Sequence, residues 1–461
     1  MLQQVAPDHT RALPDRPADL VVRGGPILTL DGDDRVVEGL AAHDGRITCL
    51  GAGAEALIGP DTRVIDLAGR AALPGINDSH LHGAWLGALW PNTMFGSDLA
   101  PEEAHGPLVT NAAERRAAIL KAGRLIASLG ITSYTEPGLG PGEDAGPTGC
   151  FGEDVLREYL ALDAEGLLTA RVNVLLLFGL LDGGSTVDDL AAGLARIDTR
   201  TPNPETLRIA GVKVFADGIP PMHSAWIHGH YPDGSQGAPF TGGTDAADGE
   251  ESLRRMITLV HERGLQVGVH ATGDRSIDVT VDTVASLAAA GQAPLRHYII
   301  HGDLATPETL ARMAPLGMGL NVQGGIAHHT AAWVAGVLGE KTAAEAWPLQ
   351  AALDAGVPLA LSSDAPVTVP DWRVGLAAAN EWMGPAADAR TRMRDLLRAY
   401  TVTPAWQDGA EGWKGSLRVG HVADLAVLGA NPFDLSPADL PGVPVDYTVL
   451  GGKVVYERTG D

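Results

Sequence analysis

Eight apolar segments alternate with amphipathic segments through the middle of the chain, and this alternation most constrains its fold. The amphipathic segments repeat apolar residues at spacings of three and four, which predicts helices. They include Asn111–Leu129, Ser185–Ile197, Gly249–Gly264, Arg275–Ala290 and Thr306–Ala314. The apolar segments predict strands at Ala71–His82, Ile131–Pro137, Arg171–Phe178, Ile209–Asp217, Leu265–Thr272, His297–Asp303, Met318–Gln323 and Pro358–Asp364. Eight strands in alternation with helices predict an α/β fold, a (β/α)8 TIM-like barrel.

Both ends of the chain have the pattern of short strands separated by turns. Asp19–Arg23 and Pro26–Leu30 lie near the N-terminus, and Ala423–Leu428 and Val445–Leu450 lie near the C-terminus. Neither end is long enough for a core of its own, so we expect the two ends to combine into one small β-sandwich domain. The predicted domains are residues 1–70 plus 415–461 for the composite β-sandwich and residues 71–414 for the barrel.

The composition bounds the class of protein and its partners. A chain of 461 residues with 45% hydrophobic residues has ample material for a full core. The net charge of -24 would repel a phosphate backbone. We therefore expect a small-molecule substrate and no nucleic-acid partner.

Cysteine usage and the distribution of apolar residues indicate the compartment. Cys49 and Cys150 are the only cysteines, so a disulfide framework is not indicated, although a single bridge stays open. The segment 1–20 lacks the apolar core of a signal peptide, and the chain contains no run of about 18 apolar residues. We expect a cytoplasmic protein without a membrane partner.

Metal-ligating side chains recur at the carboxyl ends of the predicted strands. His80 and His82 end the first strand, and residues two apart on a strand point to the same face, so both imidazoles can hold one cation. Four further candidates lie on strands four, five, six and eight: Lys213, His270, His301 and Asp364. The carboxyl ends of barrel strands meet at one mouth. Imidazoles and a carboxylate suit zinc, with cobalt, nickel or manganese as alternatives.

Lys213 requires separate treatment, because an ammonium group repels a cation. It is one of five lysines and lies within an apolar strand, where burial lowers the pKa of its amine. A neutral lysine amine can add carbon dioxide and become a carbamate that bridges two metal ions. The alternatives are a lysine paired with Asp217 or with the substrate. Carboxylation would make the site binuclear, with two zinc ions.

Several segments resemble the amidohydrolase superfamily. Pro74–His82 resembles its opening signature, and three segments resemble its YtcJ-like branch (amidohydrolase family 3), which includes N-substituted formamide deformylase: Gly211–Gly218, His270–Arg275 and Ser363–Val367. Gly415–Leu425 is similar to the return of that family into its β-sandwich. By this resemblance the metal ligands are the six residues selected above: His80, His82, Lys213, His270, His301 and Asp364.

The resemblance implies metal-dependent hydrolysis of an amide-type C–N bond in a small molecule, such as an N-substituted amide, formamide, lactam or carbamate. A bound metal lowers the pKa of water toward about 7 and so provides hydroxide. Asp364 is the predicted catalytic residue, which takes the water proton and passes it to the leaving nitrogen. The alternatives are a hydrolytic deaminase, an ester or lactone hydrolase, and a catalytically silent barrel. Pairing into a homodimer is expected by analogy with barrels of this type.

A second set of residues lies near the predicted mouth and is assigned to substrate binding. Trp85 and Trp226 can wall an apolar pocket, although core packing explains them equally well. Arg275 can bind a substrate carboxylate, with a local ion pair as the alternative. Glu136, His223 and His328 complete the set, with structural or solvent-facing roles as the alternatives.

Overall fold

Two sheets organise the computed structural model, which describes residues 16–95 and 106–459 of the chain. The terminal sheet contains β1 (Leu20–Leu28), β2 (Val36–His43), β3 (Arg46–Leu50), β4 (Arg63–Asp66), β5 (Ala71–Pro74), β14 (Leu425–Leu428), β15 (Val445–Leu450) and β16 (Lys453–Glu457). The barrel sheet contains β6 (Ile76–Asp78), β7 (Ile131–Leu139), β8 (Arg171–Leu177), β9 (Leu207–Phe215), β10 (Gln266–Ala271), β11 (Tyr298–His301), β12 (Gly319–Val322) and β13 (Leu359–Leu361). The predicted (β/α)8 barrel is confirmed, and the two termini, which were expected to form a small β-sandwich, combine in one separate sheet of eight strands.

The barrel sheet runs in sequence order from β6 to β13, with every neighbouring pair parallel. Its two edges meet where Leu81 bridges Ala365. The backbone amide of Asp364 donates to the carbonyl of His80 at 2.8 Å, and the amide of His82 donates to the carbonyl of Ala365 at 2.8 Å. These contacts close the barrel beside the first and last candidate ligands.

Helices connect and cover the strands. In the described ranges they are α1 (Gly83–Leu89), α2 (Ala112–Ser128), α3 (Glu153–Ala164), α4 (Val187–Arg196), α5 (Ala246–Glu262), α6 (Asp274–Ala289), α7 (Pro307–Met313), α8 (Gly324–Leu338), α9 (Glu340–Glu345), α10 (Leu349–Asp354), α11 (Trp372–Trp382), α12 (Ala389–Ala399) and α13 (Val402–Gln407). Side-chain caps fix several starts: Asn111 accepts from the amide of Glu114, and Thr186 accepts from the amide of Asp189. The five helices predicted by name all form, each with ends within three residues of the prediction.

The first predicted strand, Ala71–His82, is not continuous, and this prediction was wrong. The chain forms β5 in the terminal sheet, passes through Gly75 and forms β6 in the barrel. A Cβ on Gly75 would lie 2.0 Å from Oγ1 of Thr132, so only glycine permits this close approach to β7. His80 and His82 therefore follow β6 instead of lying within a strand.

The terminal sheet joins both ends of the chain in the order β16-β15-β14-β5-β1-β2-β3, with β4 on β1. It has its own apolar core, which includes Leu20, Leu40 and Val427. A buried ion pair ties it to the barrel, because Nε of Arg171 lies 2.6 Å from Oδ2 of Asp424. The domain limits at 70/71 and 414/415 stay a prediction.

Two further expectations concern cysteines and membranes. Cys49 and Cys150 are both free thiols, so the single bridge left open by the sequence does not form. In residues 16–95 and 106–459, no helix combines the length and apolar character needed to cross a membrane.

Candidate metal centre

The six candidate ligands lie at one end of the barrel. Lys213 is in β9, His270 is in β10 and His301 ends β11, whereas His80, His82 and Asp364 follow β6 and β13. All six side chains are buried. Because the barrel strands are parallel, their carboxyl ends bring these side chains to one mouth.

Three of the candidates form a tight cluster. His80, His301 and Asp364 each offer one ligand atom, and these atoms all lie within 4.8 Å of one another. Oδ1 of Asp364 lies 3.2 Å from Nε2 of His80 and 3.5 Å from Nε2 of His82. The rings of His270 and His301 have centroids 4.6 Å apart, which places His270 against the same cluster.

The backbone of this cluster is unusual at two positions. His301 has φ 73° and Asp364 has φ 55°, in the left-handed region that non-glycine residues rarely adopt. Such conformations cost about 1–3 kcal/mol each and concentrate at functional sites. Both are candidate ligands, so the strain lies at the residues that would hold the cation.

Hydrogen bonds fix the tautomers of two histidines. Nδ1 of His82 lies 3.2 Å from the carboxylate of Glu136, and Nδ1 of His301 lies 2.7 Å from Oε1 of Gln323. Oxygen acceptors require these Nδ1 atoms to donate a proton, so Nε2 is the atom through which either ring can bind a cation. The two histidines are therefore prepared to bind a cation through Nε2.

Two buried nitrogen atoms of the cluster have no hydrogen-bond partner among the described residues. They are Nδ1 of His80 and Nδ1 of His270. The opposite nitrogen of His270, Nε2, donates to the carbonyl of Gly218 at 3.1 Å, so Nδ1 carries its lone pair. Unpartnered buried polar atoms are rare. A divalent cation in the cluster would satisfy Nδ1 of His270, so the donor set fits a metal such as zinc.

The pKa values of the clustered side chains show which of them are neutral and which is charged. Burial lowers the pKa of His80 to about 3 and of His301 to about 4, which keeps both imidazoles neutral. Burial also opposes a charge on Asp364, yet His80 and the other imidazoles around it hold the pKa of its carboxyl well below its usual range. The cluster thus pairs neutral imidazoles with an anionic carboxylate, as a cation site requires.

His82 differs from its neighbours. Burial alone would lower its pKa, but the carboxylates of Asp364 and Glu136 raise the pKa of its imidazole to about 9. Glu136 also accepts from the amide of Gly83 at 2.7 Å and from the hydroxyl of Tyr159 at 3.1 Å. A cation bound at His82 would replace a proton on Nε2, while Glu136 holds the other nitrogen.

Lys213 is buried within the barrel. Its Nζ lies 4.7 Å from the ring centroid of Phe215, and burial lowers the pKa of its amine to about 8. The alternative pairing with Asp217 is not observed. The Asp217 carboxylate accepts instead from the amides of Trp226, Thr272 and Gly273 and from the hydroxyl of Ser276.

Trp85, Glu136 and Arg275 have defined partners. The ring of Trp85 lies 5.9 Å from that of His82, beside the centre. Glu136 holds His82. The guanidinium of Arg275 lies 4.3 Å from the ring of Trp226 and 3.5 Å from Glu250, in a local ion pair. Substrate binding by these residues stays a prediction.

His223 and His328 lie farther along the loops and helices of this end. Nδ1 of His223 lies 2.9 Å from Asp233, and its ring stacks on Tyr231. His328 is exposed on α8 and, with Trp382, lines a cavity of about 380 Å³. Contact of either histidine with substrate stays a prediction.

Three residues beside the centre were missed from the sequence. Gln323 holds His301, Phe151 packs against His82 with ring centroids 5.4 Å apart, and Tyr159 bonds to Glu136. The position of Gln323 could have indicated a role at the centre, because it ends the seventh predicted strand just as the candidate histidines end other predicted strands. Phe151 and Tyr159 carried none, because apolar and aromatic residues in helical or loop segments usually serve packing.

Comparison with known proteins gives one family. A model described as an amidohydrolase family matches residues 97–456. The chain is 27% identical to the protein YtcJ of Bacillus subtilis (strain 168), named as an amidohydrolase, over 266 residues, which is 55% of this chain and 48% of that protein. It is 29% identical to N-substituted formamide deformylase of Arthrobacter pascens over 281 residues, which is 58% of this chain and 50% of that protein. The matches therefore span about half the length of these two relatives.

Solved structures share the fold. A crystal structure of a metal-dependent hydrolase from Pyrococcus horikoshii OT3 superposes with a TM-score of 0.71 at 20% identity, covering 91% of this chain and 99% of that chain. At this identity the likeness concerns the fold alone. The barrel with its terminal sheet is thus an architecture found in other proteins.

Proposed function

This chain belongs to the amidohydrolase family, and on that premise we propose that it cleaves an amide-type C–N bond of a small molecule with the help of a bound divalent metal. The candidate bonds are those of N-substituted amides, formamides, lactams and carbamates. The observation that carries the proposal is the buried cluster of His80, His301 and Asp364, with ligand atoms within 4.8 Å.

We propose that the metal is held by His80, His82, Lys213, His270, His301 and Asp364. Four imidazoles and one carboxylate suit zinc, with cobalt, nickel or manganese as alternatives. Two ions would require an anionic bridge, and Lys213 can supply one as a carbamate, because burial lowers the pKa of its amine to about 8. When bound, the metal lowers the pKa of water toward about 7 and polarises a carbonyl oxygen.

Asp364 is the proposed catalytic residue. Its carboxyl has a pKa well below the usual range, so Oδ1 is available to accept the proton of the attacking water. It then passes the proton to the leaving nitrogen, since an amide nitrogen leaves only after protonation. The balance is an amide and water giving a carboxylic acid and an amine.

Residues around the cluster orient its histidine rings and restrict the access of water to it. Glu136 holds the ring of His82, and Gln323 holds the ring of His301. Trp85 and Phe151 pack against His82 and against each other, with their ring centroids 5.5 Å apart. Apolar walls strengthen the electrostatic interactions inside the site.

Hydrolytic deamination is the second candidate, favoured by one observation. The tight cluster has three residues, a set that suits a single cation, and a single metal is more typical of deaminases than of binuclear amide hydrolases. Cleavage of esters or lactones would use the same groups. A location in the cytoplasm and assembly into a homodimer stay predictions.

The test measures metal per chain on freshly purified protein, intact mass before and after acid, and release of amine from N-substituted formamides. We expect near two metals per chain, an acid-labile mass gain of one carbon dioxide, and amine release that stops after chelation and resumes with zinc. One metal without the mass gain would favour deamination. No turnover of amides by the metal-loaded protein would overturn the proposal. His421→Ala, which alters a histidine in the segment between α13 and β14, is the matched control for histidine loss.

A further inference from the structure

Three large apolar side chains are exposed at the metal-centre end of the barrel. The exposed fraction is 73% for Met222, 55% for Trp333 and 42% for Ile219. Together with Phe95, which contacts Trp333, they form what we term the apolar rim. Clustered exposed apolar side chains mark binding surfaces more often than isolated ones do.

The first part of the rim leaves directly from the candidate centre. The carbonyl of Gly218 accepts from Nε2 of His270, and Ile219 is the next residue. Pro220–Met222 then forms a short turn that packs against α8. Ile219 and Met222 are thus tethered to a candidate metal ligand.

The second part of the rim lies on α8. This helix begins immediately after Gln323, which holds His301. His329 and Trp333 are four residues apart and share one helix face. Both contact Phe95, whose ring stacks on His329 at 5.2 Å and lies 5.9 Å from Trp333.

The third part of the rim is tied to the loop that follows Asp364. The amide of Met94 donates to the carbonyl of Pro366 at 2.8 Å, and the amide of Phe95 donates to the carbonyl of Val367 at 2.9 Å. Two of the three segments that leave the centre, the turn at Pro220–Met222 and the Met94–Phe95 segment, thus both pack against α8.

The helix sets the reach of the rim. A helix rises 1.5 Å per residue, so His329 and Trp333 lie roughly 9 and 15 Å along α8 from Gln323. A methyl group at the centre would not reach them. An extended alkyl or arylalkyl group would.

Charge argues against an anionic occupant. Arg275, the cation after β10, is held by Trp226 and Glu250 and so is engaged away from a substrate carboxylate. The net charge of -24 also disfavours anions. An anionic occupant is therefore disfavoured, and the exposed side chains of Met222 and Trp333 suit an apolar one.

We propose that the apolar rim binds a long apolar substituent of the substrate, so that the protein prefers amides carrying an extended alkyl or arylalkyl group. This inference rests on the proposed amide hydrolysis. Burial of such a substituent against Trp333 and Met222 would stabilise the bound substrate.

The test compares kcat/KM for N-(8-phenyloctyl)formamide, whose substituent extends about 15 Å, and N-methylformamide in the zinc-loaded protein. We expect the long substrate to be preferred, and Trp333→Ala to lower the ratio of the two kcat/KM values about tenfold, with a smaller loss in Met222→Ser. Val36→Ser is the matched control, because Val36 is 47% exposed in the terminal sheet. It should keep the wild-type ratio.

The outcomes separate this inference from the proposed function. Equal kcat/KM for both substrates, or an unchanged ratio in Trp333→Ala, would overturn the inference while leaving amide hydrolysis intact. If neither substrate is hydrolysed, binding of the long formamide is measured by calorimetry. Binding that is weaker in Trp333→Ala than in the wild type would support binding at the apolar rim although amide hydrolysis fails. Absence of binding would overturn both this inference and the proposed amide hydrolysis. A shift of oligomeric state in Trp333→Ala, seen by sedimentation, would make the rim a subunit contact and overturn the inference.

Discussion

Replacing Glu136 by glutamine tests how the centre is prepared for metal. Glu136 accepts three hydrogen bonds, from Nδ1 of His82, the amide of Gly83 and the hydroxyl of Tyr159. Glutamine keeps the shape of the side chain but replaces one acceptor oxygen by an NH2 group, which can only donate. It therefore cannot satisfy all three donors.

Both orientations of the new amide carry a cost. With its NH2 group at the position of Oε2, the amide of Gly83 loses its acceptor, and an unsatisfied buried donor costs about 1–3 kcal/mol. With its NH2 group at the position of Oε1, His82 must accept at Nδ1 and carry its proton on Nε2, the atom 3.5 Å from Asp364. Either result weakens metal binding, by about 10- to 100-fold.

The assay is competition for zinc against a chelator of known affinity, with ¹⁵N NMR of the histidine side chains to read the tautomer of His82. Asp163→Asn is the matched control, because it removes a buried carboxylate at the end of α3 that accepts from the amide of Asn203. The control should bind zinc as the wild type does. Wild-type zinc affinity in Glu136→Gln, with the proton of His82 still on Nδ1, would refute the reasoning.

Three other predictions test chemistry, packing and pH dependence. Asp364→Asn should keep much of its metal and lose about 10²- to 10⁴-fold in kcat. Metal content and turnover are measured on the same sample, and substantial activity would contradict the catalytic role of Asp364. Asp424→Asn breaks the buried pair with Arg171 and should lower the free energy of unfolding in urea by about 3–5 kcal/mol, whereas loss of the exposed pair in Glu457→Gln should change it by less than about 1 kcal/mol. Burial, together with the nearby His261, lowers the pKa of His297 to about 3, whereas its value in the unfolded chain is about 6.5. The neutral imidazole therefore stabilises the fold above about pH 6.5, and this contribution to the free energy of unfolding is lost as the pH falls from about 6.5 toward about 3. The urea midpoint should fall more steeply between about pH 7 and about pH 5 in the wild type than in His297→Gln, and equal slopes would count against the assignment.

The barrel was predictable because its strands are parallel and buried on both faces. Every residue of β8 is buried, and five of its seven residues are apolar, so the strand shows in the sequence as a mostly apolar segment. Two helix starts are also fixed by local contacts, because Asn111 and Thr186 cap the helices that follow them. Both signals depend on neighbours in sequence alone.

The break at Gly75 was missed because the sequence is apolar from Ala71 to Ile76, while the strands that pair with β5 and with β6 come from distant parts of the chain. The partners of the histidines were hidden for a similar reason. Glu136 and His82 are 54 positions apart, and Gln323 and His301 are 22 apart. Sequence periodicity places side chains on faces of elements, but it does not specify which side chains meet across them.

The passage of the chain through Gly75 has a consequence for how the protein tolerates remodelling. β5 lies between β1 and β14 in the terminal sheet, and His80 follows it by only six positions. A cation held by His80 would therefore also oppose detachment of β5, so metal loading should protect both sheets from proteolysis and hydrogen exchange. A barrel excised at residue 71 would carry β5 without its neighbouring strands. Exchanging the terminal sheet for that of a relative would change the positions of His80 and His82, the first two candidate ligands.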